Sequence, residues 1–395
     1  MASPAPALFD PAVANDPYPF YALLRREAPV APLGALGLWG VARYEDVVRV
    51  LRDPETFSSV VGERRIAGEE LPPSMLFNDP PVHTRLRGLI AKAFTPRVVE
   101  LQRAAIERRS RELVEAMLAK AEPDIVLDLA YPLPVMVISH MLGVADGDHA
   151  TFKRWSDAII ENVAPILLTG DDSALTEVNK EFDAYFSKRL AKLRREPEDD
   201  LLSELVHVET EQGRLTELEL LMFCRLLLVA GNETTTGLIV NAIRAFSEYP
   251  GVLAQVRDDP SLLPAAIEEA LRYYAPFQAT FRRATRDVLL GGQTIPAGAR
   301  LLVFLASANR DETVFPRPDE FLLDRPHNRH VAFGMGIHYC VGAPLARLEA
   351  EVALGELLPR ISGVEIDATQ DAALLRPGGP KSLRVRFTAT DRPRP

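Results

Sequence analysis

Cys340 has the setting most suggestive of chemistry. It ends a glycine-rich stretch, His330-Val331-Ala332-Phe333-Gly334-Met335-Gly336-Ile337-His338-Tyr339-Cys340, and Val341-Gly342-Ala343-Pro344 follows. Closely spaced glycines suggest a tight loop with free backbone amides, and Pro344 suits the first position of a helix. Cys340 therefore precedes a helix N-terminus, where the dipole and free N–H groups favour a thiolate over a thiol. Cys224, in an apolar helical run, reads as a small buried hydrophobe. A structural zinc site needs four ligands, and His338 and Cys340 have no companion Cys-x-x-Cys. Gly334-x-Gly336 is not a dinucleotide fingerprint, because Tyr339 takes the third glycine position. Walker A, Gly-x-Ser-x-Gly and His-Glu-x-x-His motifs are absent. A nucleophilic cysteine needs a histidine brought to it by the fold, which sequence alone neither shows nor excludes. Single-thiolate ligation of a large cofactor, haem, is the other chemistry that suits this cysteine.

A second unusual run lies midway along the longest helical pattern. Glu217–Tyr249 is apolar on nearly all faces, with Thr216 and Glu219 spaced as a capping box and Pro250 at the far end. At 1.5 Å per residue it would span about 50 Å, so a central, buried helix is expected. Its midpoint reads Ala230-Gly231-Asn232-Glu233-Thr234-Thr235-Thr236. Gly, Asn and Thr are poor helix formers, and Glu233 would be a costly charge to bury. The run is either a polar patch satisfied by its neighbours or a site. A local rule broken at the centre of a core helix favours the site.

The elements that must position these residues are mostly helical. Leu101–Ala121, Leu175–Arg195, Glu217–Tyr249, Leu263–Tyr274 and Pro344–Leu358 repeat apolar residues at helical spacing. Strand signals are few: Leu36–Tyr44, Thr294–Phe304 as a hairpin turning at Pro296-Ala297-Gly298, and Ser382–Thr388. The pattern predicts a mainly α protein with a small β region. The 32 prolines are dispersed through 395 residues without a linker or repeat, which predicts many loops and a single domain over 1–395. Lys+Arg 45 against Asp+Glu 55 gives a net charge of −10, so no global basic field exists to hold nucleic acid. Two cysteines cannot build a disulfide framework, which suits a reducing cytosol. The N-terminus lacks the features of a signal peptide, and no apolar run approaches the roughly 18 residues of a membrane span. A soluble, cytoplasmic, monomeric protein with no nucleic-acid or membrane partner is expected.

Phe333-Gly334-x-Gly336-x-His338-x-Cys340-x-Gly342 resembles the haem-binding loop of cytochrome P-450 monooxygenases. Further segments resemble that family in order and spacing over nearly the whole chain, from Asp16-Pro17-Tyr18-Pro19 to the final strands. Glu269-Ala270-Leu271-Arg272 is similar to its Glu-x-x-Arg motif, and Ala230-Gly231-Asn232-Glu233-Thr234-Thr235 to its oxygen-activation motif. His83-Thr84-Arg85-Leu86-Arg87 and Arg282-x-Ala284-Thr285 resemble its haem-propionate segments. The soluble, unfused bacterial type is the nearest likeness. Two departures stand out: the acid in the central helix is Glu rather than Asp, and Met335 stands where many relatives carry His.

The resemblance implies a cytochrome P-450 fold with haem b (heme b, iron protoporphyrin IX) between the long central helix and the Cys-loop helix. Cys340 would be the metal ligand, and Phe333, Gly334 and Gly342 would belong to its loop. His83, Arg87, Arg282 and His338 would pair with the propionates, and Ala230 and Gly231 would lie beside the haem. Glu233 and Thr234 would be catalytic, relaying protons, while Glu269 and Arg272 would be buried and structural. The implied reaction inserts one atom of O2 into a small hydrophobic organic substrate. Without room for a fused reductase, electrons would come from a separate ferredoxin/reductase system. Arg85, Arg87, Lys92, Arg97, Arg103 and Arg347 are candidates to steer such a carrier, with ordinary surface charge the competing explanation. Segments 63–77, 165–182, 227–230 and 277–280 would line the substrate side. A peroxide-driven peroxygenase and a haem sensor without turnover are the competing functions, and the Glu233–Thr234 pair argues against the first.

Overall fold

Five helices carry or brace the candidate residues: α1 (Val82–Ile90), α2 (Arg103–Leu118), α3 (Glu217–Glu248), α4 (Leu263–Tyr273) and α5 (Ala343–Leu357). The last four fall where apolar residues recur at helical spacing, differing only at their frayed ends, and Thr176–Leu193 does the same. These assignments come from a computed structural model that describes residues 13–390, apart from 14, 35–36, 62–64, 67–68, 71–72, 170–172, 210–212 and 368–378.

The capping box of α3 forms in full. The Thr216 N–H donates to Glu219 Oε2 (2.9 Å) and the Glu219 N–H to Thr216 Oγ1 (3.2 Å), so two donors at the helix start are satisfied reciprocally. Pro250 ends the run by starting the next helix, Pro250–Asp258. α3 does contain an 18-residue window apolar enough to cross a membrane by length and composition, but 56% of that window is buried inside the fold. That is the packing of a core helix, as its all-round apolar sequence predicts.

The described chain divides into two compact units. The first comprises residues 1–61, 103–131 and 234–395, and the second 62–102 and 132–233. The first holds a five-stranded sheet built from β1 (Val30–Pro32), β2 (Leu38–Val41), β3 (Phe57–Ser58), β4 (Ala279–Ala284) and β5 (Arg300–Phe304), in the order β1-β2-β5-β4-β3. β2 and β5 run parallel, with Trp39 opposite Leu301, and the other pairs are antiparallel. Val41, Val47, Val50, Phe57, Leu301, Val303 and Val331 bury one core against this sheet. In the second unit, rings of Trp155, Phe182, Tyr185 and Phe186 pack edge-on or tilted, with centroids 4.6–5.5 Å apart.

The expected Thr294–Phe304 hairpin is corrected by the pairing. Its turn exists, with the Ala299 N–H donating to the Pro296 carbonyl (3.1 Å) and Gly298 at φ +82°. The flanking strands part, however: Gln293–Ile295 pairs with Val288–Leu290, while β5 pairs with β4 and β2. Gly291-Gly292 makes the tighter turn between the two short strands, and apolar Leu301, Leu302 and Val303 suit the sheet interior better than a two-stranded ribbon.

Candidate functional site

The cysteine loop is fastened to the sheet core at its start. Val331 is fully buried there and Met335 packs against the same cluster. Between and beyond them the backbone turns tightly: Gly334 N–H donates to the Val331 carbonyl (2.9 Å), Tyr339 N–H to Gly336 (3.1 Å) and Cys340 N–H to Phe333 (2.9 Å). Gly336 is required twice over. Its φ of +72° is the left-handed region, and a Cβ there would stand 2.4 Å from the Leu51 carbonyl oxygen. α5 begins at Ala343 with Pro344 in its first turn, so Cys340 does sit at a helix entry. Its side chain belongs to an exposed residue, whereas Cys224 is buried and burial pushes that thiol far up. His338 Nε2 and Ser59 Oγ are hydrogen-bonded at 2.8 Å, a partner absent from the motif reading.

Arg282 lies on β4, almost wholly buried, with its Nη1 donating to the Phe281 carbonyl (2.7 Å) and the Thr280 hydroxyl (3.4 Å). In the second unit, His83 and Arg87 are four residues apart on α1 and so share one face, with His83 buried. Arg85 is turned elsewhere and bonds Glu219 of the α3 capping box.

The polar run of α3 divides between two stripes of the helix. Asn232 is fully buried and its Nδ2 donates to Ser156 Oγ (3.0 Å). Thr236 Oγ1 donates to the carbonyl of Ala130 (3.0 Å), the last residue of the π-helical turn Val126–Ala130. These two are structural polar groups satisfied by neighbours. Ala230, Glu233, Thr234 and Gly237 lie on the opposite stripe, where Ala230 is exposed and the other three are half-buried. Burial raises the Glu233 carboxyl above the usual carboxylate range. Gly231 gains a packing reason: a Cβ there would meet Ile138 Cδ1 at 2.5 Å.

Glu269 and Arg272 are both fully buried and bonded as a fork, Nε to Oε2 at 2.8 Å and Nη2 to Oε1 at 2.7 Å. The motif reading missed the third member, Arg325, whose Nε donates to both Glu269 oxygens (3.0 and 3.1 Å). The Leu322 N–H and Asn328 Nδ2 complete the carboxylate, and Arg272 also donates to the carbonyls of Asn309, Pro318 and Glu320. Arg325 lies far along the chain in a loop without periodicity, so only the fold reveals it.

Several cations considered for steering a carrier are engaged within the fold. Besides Arg85, Lys92 donates to the Glu209 carbonyl (3.3 Å), Arg103 pairs with Glu351 (3.6 Å) and Arg347 with Glu268 (2.6 Å). Of the expected substrate-lining segments, parts of 63–77 and 165–182 lie outside the described residues, while Phe277 is 48% exposed.

The residues suit a haem. Among the described residues no group of three or more His, Cys, Asp or Glu could hold a bare metal ion. One thiolate suits an iron whose other ligands come from a macrocycle. Gly342 stands beside that sulfur: a Cβ there would lie 4.0 Å from Cys340 Sγ, in ordinary van der Waals contact.

The family model for cytochrome P450 matches residues 33–372. The cytochrome P450 monooxygenase PikC of Streptomyces venezuelae is 41% identical over 389 residues, covering 95% of this chain and 92% of that protein. The structure of cytochrome P450 CYP109Q5 from Chondromyces apiculatus superposes with a TM-score of 0.89 at 41% identity, covering 97% of this chain and 98% of the other. CYP109E1 from Bacillus megaterium in complex with testosterone gives a TM-score of 0.84 at 37% identity, covering 94% and 99%. The helical fold with its small sheets, the cysteine at a loop-to-helix junction and these matches agree: the chain belongs to the cytochrome P450 family of haem-dependent monooxygenases.

Proposed function

We propose that this chain binds haem b through the Cys340 thiolate and inserts one oxygen atom of O2 into a small hydrophobic substrate in the cytoplasm. Two electrons would come from a separate ferredoxin/reductase system. The observation that carries this is the exposed Cys340 residue at the entry of α5, its amide held by the Phe333 carbonyl. When bound, the haem supplies dioxygen binding and redox chemistry. The chain's own residues do the rest. His83, Arg87, Arg282 and His338 would hold the two propionates, guanidinium being the better fork for a carboxylate. Phe333, Gly334 and Gly342 would shape the loop around the sulfur, and Ala230 and Gly231 would lie beside the haem. Thr234 would fix a water by its hydroxyl, and Glu233, with its raised carboxyl, would pass protons to it.

Testosterone, held by a similar structure, is the first compound to titrate against the Soret spin-state shift. With a ferredoxin and its reductase, NADH oxidation should rise several-fold on adding a ligand that shifts the band, and product should carry one atom of labelled O2. Product formed with H2O2 but never with NADH and the electron carriers would instead make this a peroxygenase. Reduction without product from any shifting ligand would mark a sensor.

A further inference from the structure

We propose that Glu268 is a positioning residue that clamps the cysteine loop through His330 and Arg347 and thereby sets the field at the Cys340 sulfur. This rests on Cys340 being the haem ligand. Glu268 stands on α4, beside the buried Glu269, but faces a different set of partners. His330 Nδ1 accepts the Ala332 N–H (3.2 Å), so the neutral ring carries its proton on Nε2, which donates to Glu268 Oε2 (3.0 Å). Arg347, on α5, closes a fork on the same carboxylate, Nε to Oε1 at 2.6 Å and Nη2 to Oε2 at 2.9 Å. One carboxylate thus joins the residue before the loop to the helix after it.

Arg347 then reaches into the loop. Its guanidinium carbon lies 4.5 Å from the Phe333 ring centroid, and Nη1 donates to the Tyr339 hydroxyl at 3.4 Å. Phe333 supplies the carbonyl that holds the Cys340 amide, and Tyr339 is the residue before the cysteine. The clamp therefore grips both residues that fix the sulfur's backbone. Burial would raise the Glu268 carboxyl, yet the hydrogen bonds from Arg347 and His330 hold it down to about 2, so it stays ionised. An ordinary exposed ion pair would contribute little. This one is partly buried, with the His330 side chain at 4% exposure, and it balances the Arg347 cation that touches Phe333 and Tyr339.

The test is the ferric/ferrous midpoint potential of haem-loaded full-length protein. A positive charge left unbalanced favours the reduced state, so Glu268→Gln should raise the potential and Arg347→Gln should lower it. Each shift should be about tenfold in the redox equilibrium, which for one electron is 59 mV. The double variant should return close to wild type. Wild-type potentials in both single variants, with only lowered thermal midpoints, would reduce the clamp to a structural contact and overturn the proposal. Should Glu268→Gln take up no haem, Arg347→Gln decides alone: a lowered potential supports the clamp and a wild-type one overturns it. Failure of the ligand assignment is separable, because it would show as an unaltered thiolate spectrum in Cys340→Ser.

Discussion

Glu269→Ala is expected to leave little haem-loaded protein. The carboxylate is the shared acceptor for Arg272 and Arg325, whose side chains are 0% and 2% exposed. Removing it strands two guanidinium groups in the protein interior. Breaking a buried pair in this way costs roughly 3–5 kcal/mol. A domain's total stability is about 5–15 kcal/mol, so most of the margin disappears. The loops that donate carbonyls to Arg272 and Arg325, around 309 and 316–320, would lose their anchor at the same time. Haem absorbance per protein, read with far-UV circular dichroism, measures the loss. Normal haem content with abolished turnover would instead place Glu269 in the chemistry and contradict a structural role.

Thr234→Ala should keep NADH oxidation going while product per NADH falls several-fold and H2O2 rises. Thr234 is half-buried and shares a stripe of α3 with Ala230 and Glu233. Without its hydroxyl the site loses the group that would hold a water, and reduced dioxygen should leave as H2O2 instead of being cleaved. Thr235 is 2% exposed and projects about 100° around the helix, so Thr235→Ala should be much milder. Glu233→Gln keeps the shape and removes the titrating proton. It should slow turnover and enlarge the solvent isotope effect. Equal coupling in wild type and Thr234→Ala would show that this hydroxyl does not govern protonation here.

The sequence was most legible where a single local rule decides the structure. Apolar spacing placed α2, α3, α4 and α5, and the Thr216–Glu219 pair marked the start of α3, because these features depend on neighbours within one helical turn. Cys340 was readable for the same reason, its glycines and Pro344 forcing a loop and then a helix. Pairing across the chain was less legible. The strands on either side of Pro296–Gly298 look like a hairpin locally, yet β5 finds better burial beside β2 and β4. The run from Asn232 to Thr236 admitted two explanations, and the first holds for Asn232 and Thr236, which are satisfied by neighbours, while Glu233 and Thr234 lie half-buried on another stripe of the helix. Arg325 and Glu268 gave no signal, and Arg347 was read only as a cation that could steer a carrier, since an arginine or glutamate in isolation reads as solvated surface. Their importance comes from partners dozens of residues away.

The ferrous–CO absorption spectrum tests the central claim most directly, comparing wild type with Cys340→Ser and Cys224→Ala. Thiolate ligation by Cys340 predicts the strongly red-shifted Soret band in wild type and in Cys224→Ala, whose thiol is buried and protonated, and its loss in Cys340→Ser. A red-shifted band that survives in Cys340→Ser, or is missing from wild type, would contradict it.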